Sequence, residues 1–184
     1  MTENKKNSLH SYIEKCLEIK IEKLITSFLG LMLSAGVAHA DMSIKLGNGW
    51  DGKRVPNGQH CTLFGGKGAT PPMKISNLPS GASWVFVEYN DRDYRPLSRN
   101  GGHGVIGYPV KGSSANIYSV PGLIGKLPGK AKVISAARGT GKYASKGYMP
   151  PCSGGRGNRY FAIVKAISSG GKVLEKQRVE IGRY

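Results

Sequence analysis

Ser83-Trp84-Val85-Phe86-Val87-Glu88-Tyr89-Asn90-Asp91-Arg92-Asp93 is the stretch on which the fold turns. From Ser83 to Tyr89 it is almost continuously apolar and rich in β-branched and aromatic residues. That pattern predicts a strand buried on both faces, and therefore a central one. Working outward, Gly104 to Val110 reads as a second strand that starts just after His103, and Tyr160 to Ile167 as a third, also buried. Met42 to Leu46 alternates like a half-buried strand, and Pro71-Pro72 leads into another short one at Met73. Lys172 to Ile181 reads as a closing amphipathic segment, strand or short helix. Ser113 to Ser145 reads as loop, with one ambiguous run from Ala131 to Ala137. Turn dipeptides such as Asn48-Gly49 and Asp51-Gly52, among 27 glycines, recur every ten residues or so and predict an all-β or mostly β domain.

The first forty residues stand apart. Lys20 and Lys23 precede an apolar run, Leu24 to Val37, that closes on Ala38-His39-Ala40 before Asp41. A basic flank, a short apolar stretch and a small-x-small end predict a secretory signal peptide over 1–40, with an uncleaved anchor as the alternative. The run is too short for a comfortable membrane span of about 20 residues. The expected mature chain, 41–184, suits one domain, periplasmic or secreted and not an integral membrane protein. Without the leader's five Lys and four Glu, 22 basic and 7 acidic residues remain, a formal charge of +15. Such a surface attracts polyanions in general. The Lys and Arg are spread along the whole chain, not clustered with aromatics, so no specific nucleic-acid partner is expected.

Two cysteines remain in 41–184, Cys61 and Cys152. In an oxidising compartment an even pair predicts a disulfide closing a loop of about ninety residues, worth roughly 4 kcal/mol; two buried free thiols are the alternative. No Cys-x-x-Cys spacing suggests a metal, so neither metal nor cofactor is expected.

The ends of the three best strands carry the polar residues. Asp91 and Asp93 close the first, His103 opens the second, and Gly147-Tyr148-Met149-Pro150-Pro151-Cys152-Ser153-Gly154-Gly155-Arg156-Gly157-Asn158-Arg159-Tyr160 leads into the third. A histidine and the N–H groups of a Gly-rich loop can both donate to an oxyanion, and short Asp side chains can orient such donors. The reading is a small polar pocket for an anionic group; in the plainer alternative the aspartates cap a turn and His103 is a structural hydrogen-bonder. No Gly-x-Ser-x-Gly elbow is present, and a Cys152–His103 nucleophile pair fails if Cys152 is bonded. Catalysis is therefore not expected.

These residues, in this order, resemble the phosphatidylethanolamine-binding protein family, also called the Raf kinase inhibitor protein family. Asp91-Arg92-Asp93-Tyr94-Arg95 is similar to its Asp-Pro-Asp-x-Pro segment, and His103 to the His that follows it. Pro150-Pro151 and Asn158-Arg159-Tyr160 are similar to its Gly-x-x-Pro-Pro loop ending in His-Arg-Tyr. Asp51 to Pro56, Cys61, Thr70-Pro71-Pro72 and Leu78 to Gly81 are similar to its bacterial secreted branch, and the likeness covers most of residues 45 to 168. Arg92 and Arg95 replace both prolines of the first motif, and Asn158 stands where a second pocket His is usual. The resemblance implies a central β-sheet packed on a smaller second sheet, with one or two peripheral helices. It also implies a preformed anion pocket near Asp91, Asp93, His103, Pro150, Pro151, Asn158 and Tyr160. There Tyr148 or Tyr160 would form an aromatic wall, and Tyr184 is a candidate to cover the rim. The ligand implied is a phosphate or phospholipid head group. A protein partner, as for a protease inhibitor or a modulator of another protein, is the alternative, with the loop 154–158 or the basic stretch Arg92 to Arg99 as contact surface.

Overall fold

In this computed structural model residues 40–184 are described, so the signal peptide expected over 1–40 lies outside them but for Ala40. Among the described residues eight strands are formed: β1 Ser43–Leu46, β2 Met73–Ser76, β3 Ala82–Asp91, β4 Val105–Pro109, β5 Ser114–Ile117, β6 Lys132–Ser135, β7 Arg159–Ser168 and β8 Val173–Arg183. They make two antiparallel sheets, a small one ordered β1-β2-β5 and a large one ordered β6-β4-β3-β7-β8. The apolar run that decided the reading is the middle strand of the large sheet, as its lack of a polar face required.

The core lies between the sheets. Met73, Ile75 and Ile117 of the small sheet meet Val85, Val87, Tyr89, Ile106, Tyr108, Ala162, Val164 and Ala166 of the large one. Each of these sits at every second position of its strand, so alternation alone turns them to one face. Met42 to Leu46 supplies β1, in the small sheet and not the large one. The closing segment is a strand: only an extended chain keeps Ala162 to Ala166 paired with Val179 to Glu175. The expected loop 113–145 contains two four-residue strands. β5 buries a single large apolar residue, Ile117, and β6 is largely exposed, so neither left a strong pattern in the sequence. Among the described residues the helical element is confined to single 3-10 turns at the periphery, Thr62–Phe64, Arg95–Leu97 and Gly141–Tyr143. Among the described residues no helix is long and apolar enough to cross a membrane.

Both borders of the large sheet are defended. β6 is only four residues long, and β8 exposes Lys176, Arg178 and Glu180 along its length. Short or charged edge strands resist pairing with other chains.

Candidate functional site

Alternation also decides which candidate residues face inward. Val85, Val87 and Tyr89 point into the core, so Asp91, two residues on, points the same way just beyond the hydrocarbon. It stands in register with Tyr160 of β7, and such opposed pairs place their Cβ atoms about 5 Å apart. Both are buried, 4% and 3% exposed. Each oxygen of the Asp91 carboxylate accepts one hydrogen bond. Its Oδ2 accepts from the Asn158 side-chain amide at 2.8 Å and its Oδ1 from the backbone N–H of Asp93 at 2.9 Å.

His103 continues the pairing of β4 with β3. Its N–H donates to the Tyr89 carbonyl at 2.9 Å, and its carbonyl accepts from the Met149 N–H at 2.8 Å. The imidazole Nδ1 lies 2.8 Å from the Met149 carbonyl. A carbonyl only accepts, so Nδ1 carries the proton and Nε2 is left as acceptor when neutral, donor when protonated. Among the described residues no partner meets Nε2. The ring stands edge-on to Tyr160, with centroids 5.4 Å apart and planes at 81°. Burial pushes the imidazole below its ordinary value, while the Met149 carbonyl and the Asp91 charge pull the other way. Gly104 makes the arrangement possible. Its φ is +106°, and a Cβ there would lie 2.8 Å from the Gly147 carbonyl oxygen.

Asp93 belongs elsewhere. It is exposed and forked with Arg159, whose backbone N–H donates to Oδ2 at 2.7 Å and whose Nε does so at 2.9 Å, while Nη2 donates to Oδ1. The side-chain bonds of Arg159 and its backbone N–H hold the carboxyl well below the usual carboxylate range. The two aspartates therefore do different work: Asp91 is buried in the site, and Asp93 clamps the turn after β3 to the start of β7.

The Gly- and Pro-rich loop closes the other side. A disulfide joins Cys61 to Cys152, with Cα atoms 5.2 Å apart. The Cys152 N–H donates to the Tyr160 phenol oxygen at 3.2 Å. Burial, and then the Asp91 charge, raise the phenol's pKa well above its ordinary value, so it stays protonated. Pro150 and Pro151 are buried; a Cβ on Gly68 or Gly122 would strike Pro150, and the Pro151 carbonyl accepts from the Cys61 N–H at 3.0 Å. They shape the backbone of the loop from behind. Tyr148 is 2% exposed and packs in the core with its ring 4.6 Å from Tyr89. Of the two tyrosines considered for an aromatic wall, Tyr160 is the one against His103. The backbone of Tyr184 brackets the loop, accepting from Gly157 N–H at 2.9 Å and from Ser153 Oγ–H, and donating to the Asn158 carbonyl at 3.1 Å. Its ring stacks on His60 at 4.5 Å. Positive φ at Gly154, Gly155 and Gly157 curls the tip.

Asp91, His103, Asn158 and Tyr160 are thus brought to one place, with Cys152 and Ser153 beside them. Two contributors escaped the sequence reading. The Met149 acceptor is a backbone atom and leaves no residue-type signal. The Asp93–Arg159 fork joins residues 66 apart in the chain, and only the finished β3–β7 register places them side by side.

No protein-family model matches the sequence, and no curated protein matches it. Among solved structures, E. coli YbcL, described as a new member of the mammalian phosphatidylethanolamine-binding protein family, superposes with a TM-score of 0.50 at 17% identity. The match covers 79% of this chain and 98% of that one. The fold is that of the phosphatidylethanolamine-binding proteins. A Chlamydia trachomatis protein described as a homologue of the same family aligns at 20% identity over 78% of this chain and 97% of that one, with a TM-score of 0.48. In this phosphatidylethanolamine-binding protein-like fold, the Asp91 end of the large sheet is where β3, β4 and β7 bring their polar residues together.

Proposed function

We propose that the chain is an exported, non-catalytic binding protein that receives a small anion, a phosphate or phospholipid head group, at the site of Asp91, His103, Asn158 and Tyr160. One observation carries the reading: a buried imidazole fixed through Nδ1, with Nε2 unmet among the described residues, beside a phenol kept protonated. Both present donors to an oxyanion once His103 takes up a proton. Asp91 orients Asn158 and favours that protonated form without meeting the anion itself. Exposures of only 3 to 4% on His103, Tyr160 and Asp91 suit contact with a small head group, not a chain.

Against catalysis, the only cysteine of the site is bonded to Cys61, which removes the thiolate a nucleophile requires. Export rests on the leader-like pattern of residues 1–40. A protease-inhibitor role for the loop 154–158 fits less well, since peptide segments bound at a strand edge are extended and this tip is curled.

Isothermal titration against phosphate, phosphoethanolamine and phospholipid head groups tests the proposal. Wild-type protein should bind at least one of them, and the Asp91→Ala/His103→Ala double variant should bind it more weakly. Equal binding by both proteins would remove the site.

A further inference from the structure

The β3–β4 connection carries a second polar feature on its outer side. Arg95, Pro96, Arg99, Asn100 and Arg138 line an open cleft of about 540 Å³. Three arginines therefore line one open cleft, and no acid is among the lining residues.

The connection is built to hold them. Asn90 Oδ1 accepts from the N–H groups of Gly101 and Gly102 at 3.0 and 3.2 Å. Leu97 is buried beneath, so close to Gly102 that a Cβ on that glycine would lie 2.2 Å from the Leu97 carbonyl oxygen. Arg138 reaches in from beyond β6: Nη1 donates to the Asn100 carbonyl at 2.9 Å, and Nη2 to those of Arg99 and Pro96 at 2.7 and 3.2 Å. Its own N–H donates to the Gly102 carbonyl at 2.9 Å. The Arg138 guanidinium is thus held in place with three N–H donations to carbonyls, so it lends the cleft a positive charge at a set position and leaves direct anion contact mainly to Arg95 and Arg99.

The nearby acids are already spent. Asp91 is bonded to Asn158 and the Asp93 N–H, and Asp93 is forked with Arg159. Among the described residues neither Arg95 nor Arg99 has an ion-pair partner. Like charges lining one cleft with no counter-charge among its residues repel, and a multiply charged anion relieves that repulsion. Guanidinium groups match the oxygens of a tetrahedral oxyanion in paired hydrogen bonds. A phosphodiester brings a single negative charge, whereas a phosphate monoester brings nearly two at neutral pH.

We infer that this cleft is a binding site for a terminal phosphate monoester, separate from the Asp91–His103 site. The ester is either a free small molecule or a monoester headgroup on a lipid surface, and in both cases the same arginines hold it.

Titration with glycerol 3-phosphate, and co-sedimentation with phosphatidylcholine vesicles with and without phosphatidic acid, test this at physiological salt. Three variants accompany the wild type. Arg95→Gln/Arg99→Gln removes two cleft charges on exposed residues. Lys172→Gln/Lys176→Gln removes the same charge at or near the β7–β8 turn, at the opposite end of the large sheet. Asp91→Ala/His103→Ala disables the other site. The arginine pair should weaken binding about tenfold or more, as loss of charge-assisted hydrogen bonds implies. The lysine pair should change it less than about twofold, and the arginine-dependent part of the binding should persist in the Asp91/His103 pair. Binding of the free ester assigns a soluble ligand, and binding confined to phosphatidic acid vesicles assigns a lipid surface. Equal losses from the arginine and lysine pairs would reduce the cleft to part of a diffuse basic surface. Binding of neither probe, or loss only with Asp91/His103, would overturn the assignment.

Discussion

Breaking the Cys61–Cys152 bridge should remove a large part of the stability of this domain. The cysteines are 91 residues apart, and releasing a loop of that length returns ~4.6 kcal/mol of chain entropy to the unfolded state. Domains of this kind are stable by about 5–15 kcal/mol in total. A domain of about 144 residues has an unfolding entropy near 0.3 kcal/mol per kelvin, so Tm should fall by ~15 °C. Alanine is the right replacement at both positions. Cys61 is 1% and Cys152 8% exposed, and a buried serine hydroxyl without a partner would add a cost of its own. Calorimetry of wild type, of Cys61→Ala/Cys152→Ala and of wild type with reductant gives the comparison, and the last two should coincide. A drop below ~5 °C in both would refute the reasoning that unfolded-chain entropy is the main contribution of the bridge.

Three further outcomes follow from the site. Asn158→Ala leaves Oδ2 of the buried Asp91 without its donor and should cost about 2 kcal/mol in urea denaturation, while Asn158→Gln should recover part of it. Gly104→Ala should cost ~3 kcal/mol or more, from positive φ plus a close approach to the Gly147 carbonyl; at Gly112, with φ +86° and open space, the same change should cost only ~1 kcal/mol. Because His103 is held below its ordinary value of 6.5, the unfolded chain binds a proton first as the medium acidifies. Stability should be full above that pH and decline below it, down to the folded imidazole's own pKa. His103→Gln should flatten this slope in Tm measured between pH ~7.5 and ~5, and an unchanged slope would exonerate the imidazole.

The large sheet was legible because β3, β4 and β7 are buried strands with little polar alternation, and hydrophobic pattern is the strongest signal a sequence carries. The polar residues at their ends could be named for the same reason: once the strands are placed, so are Asp91, His103 and Tyr160. The two aspartates looked like equals in sequence, two residues apart on one strand face. Strand β3 ends at Asp91, the chain turns, and Asp93 meets Arg159 in solvent instead. β5 and β6 were hidden because four residues with one or no buried large side chain give no period to detect. Arg138 illustrates a different limit: its partners are three carbonyls, and main-chain oxygens are identical at every position.

The guarded borders of the large sheet bear on the chain's life at high concentration. With one flank four residues long and the other studded with alternating ionic side chains, a neighbouring molecule finds no long bare ladder to extend. Intermolecular strand addition, the usual seed of fibrous deposits in β-rich proteins, is disfavoured at both margins. Accumulation in a crowded compartment should therefore leave the folded domain dispersed.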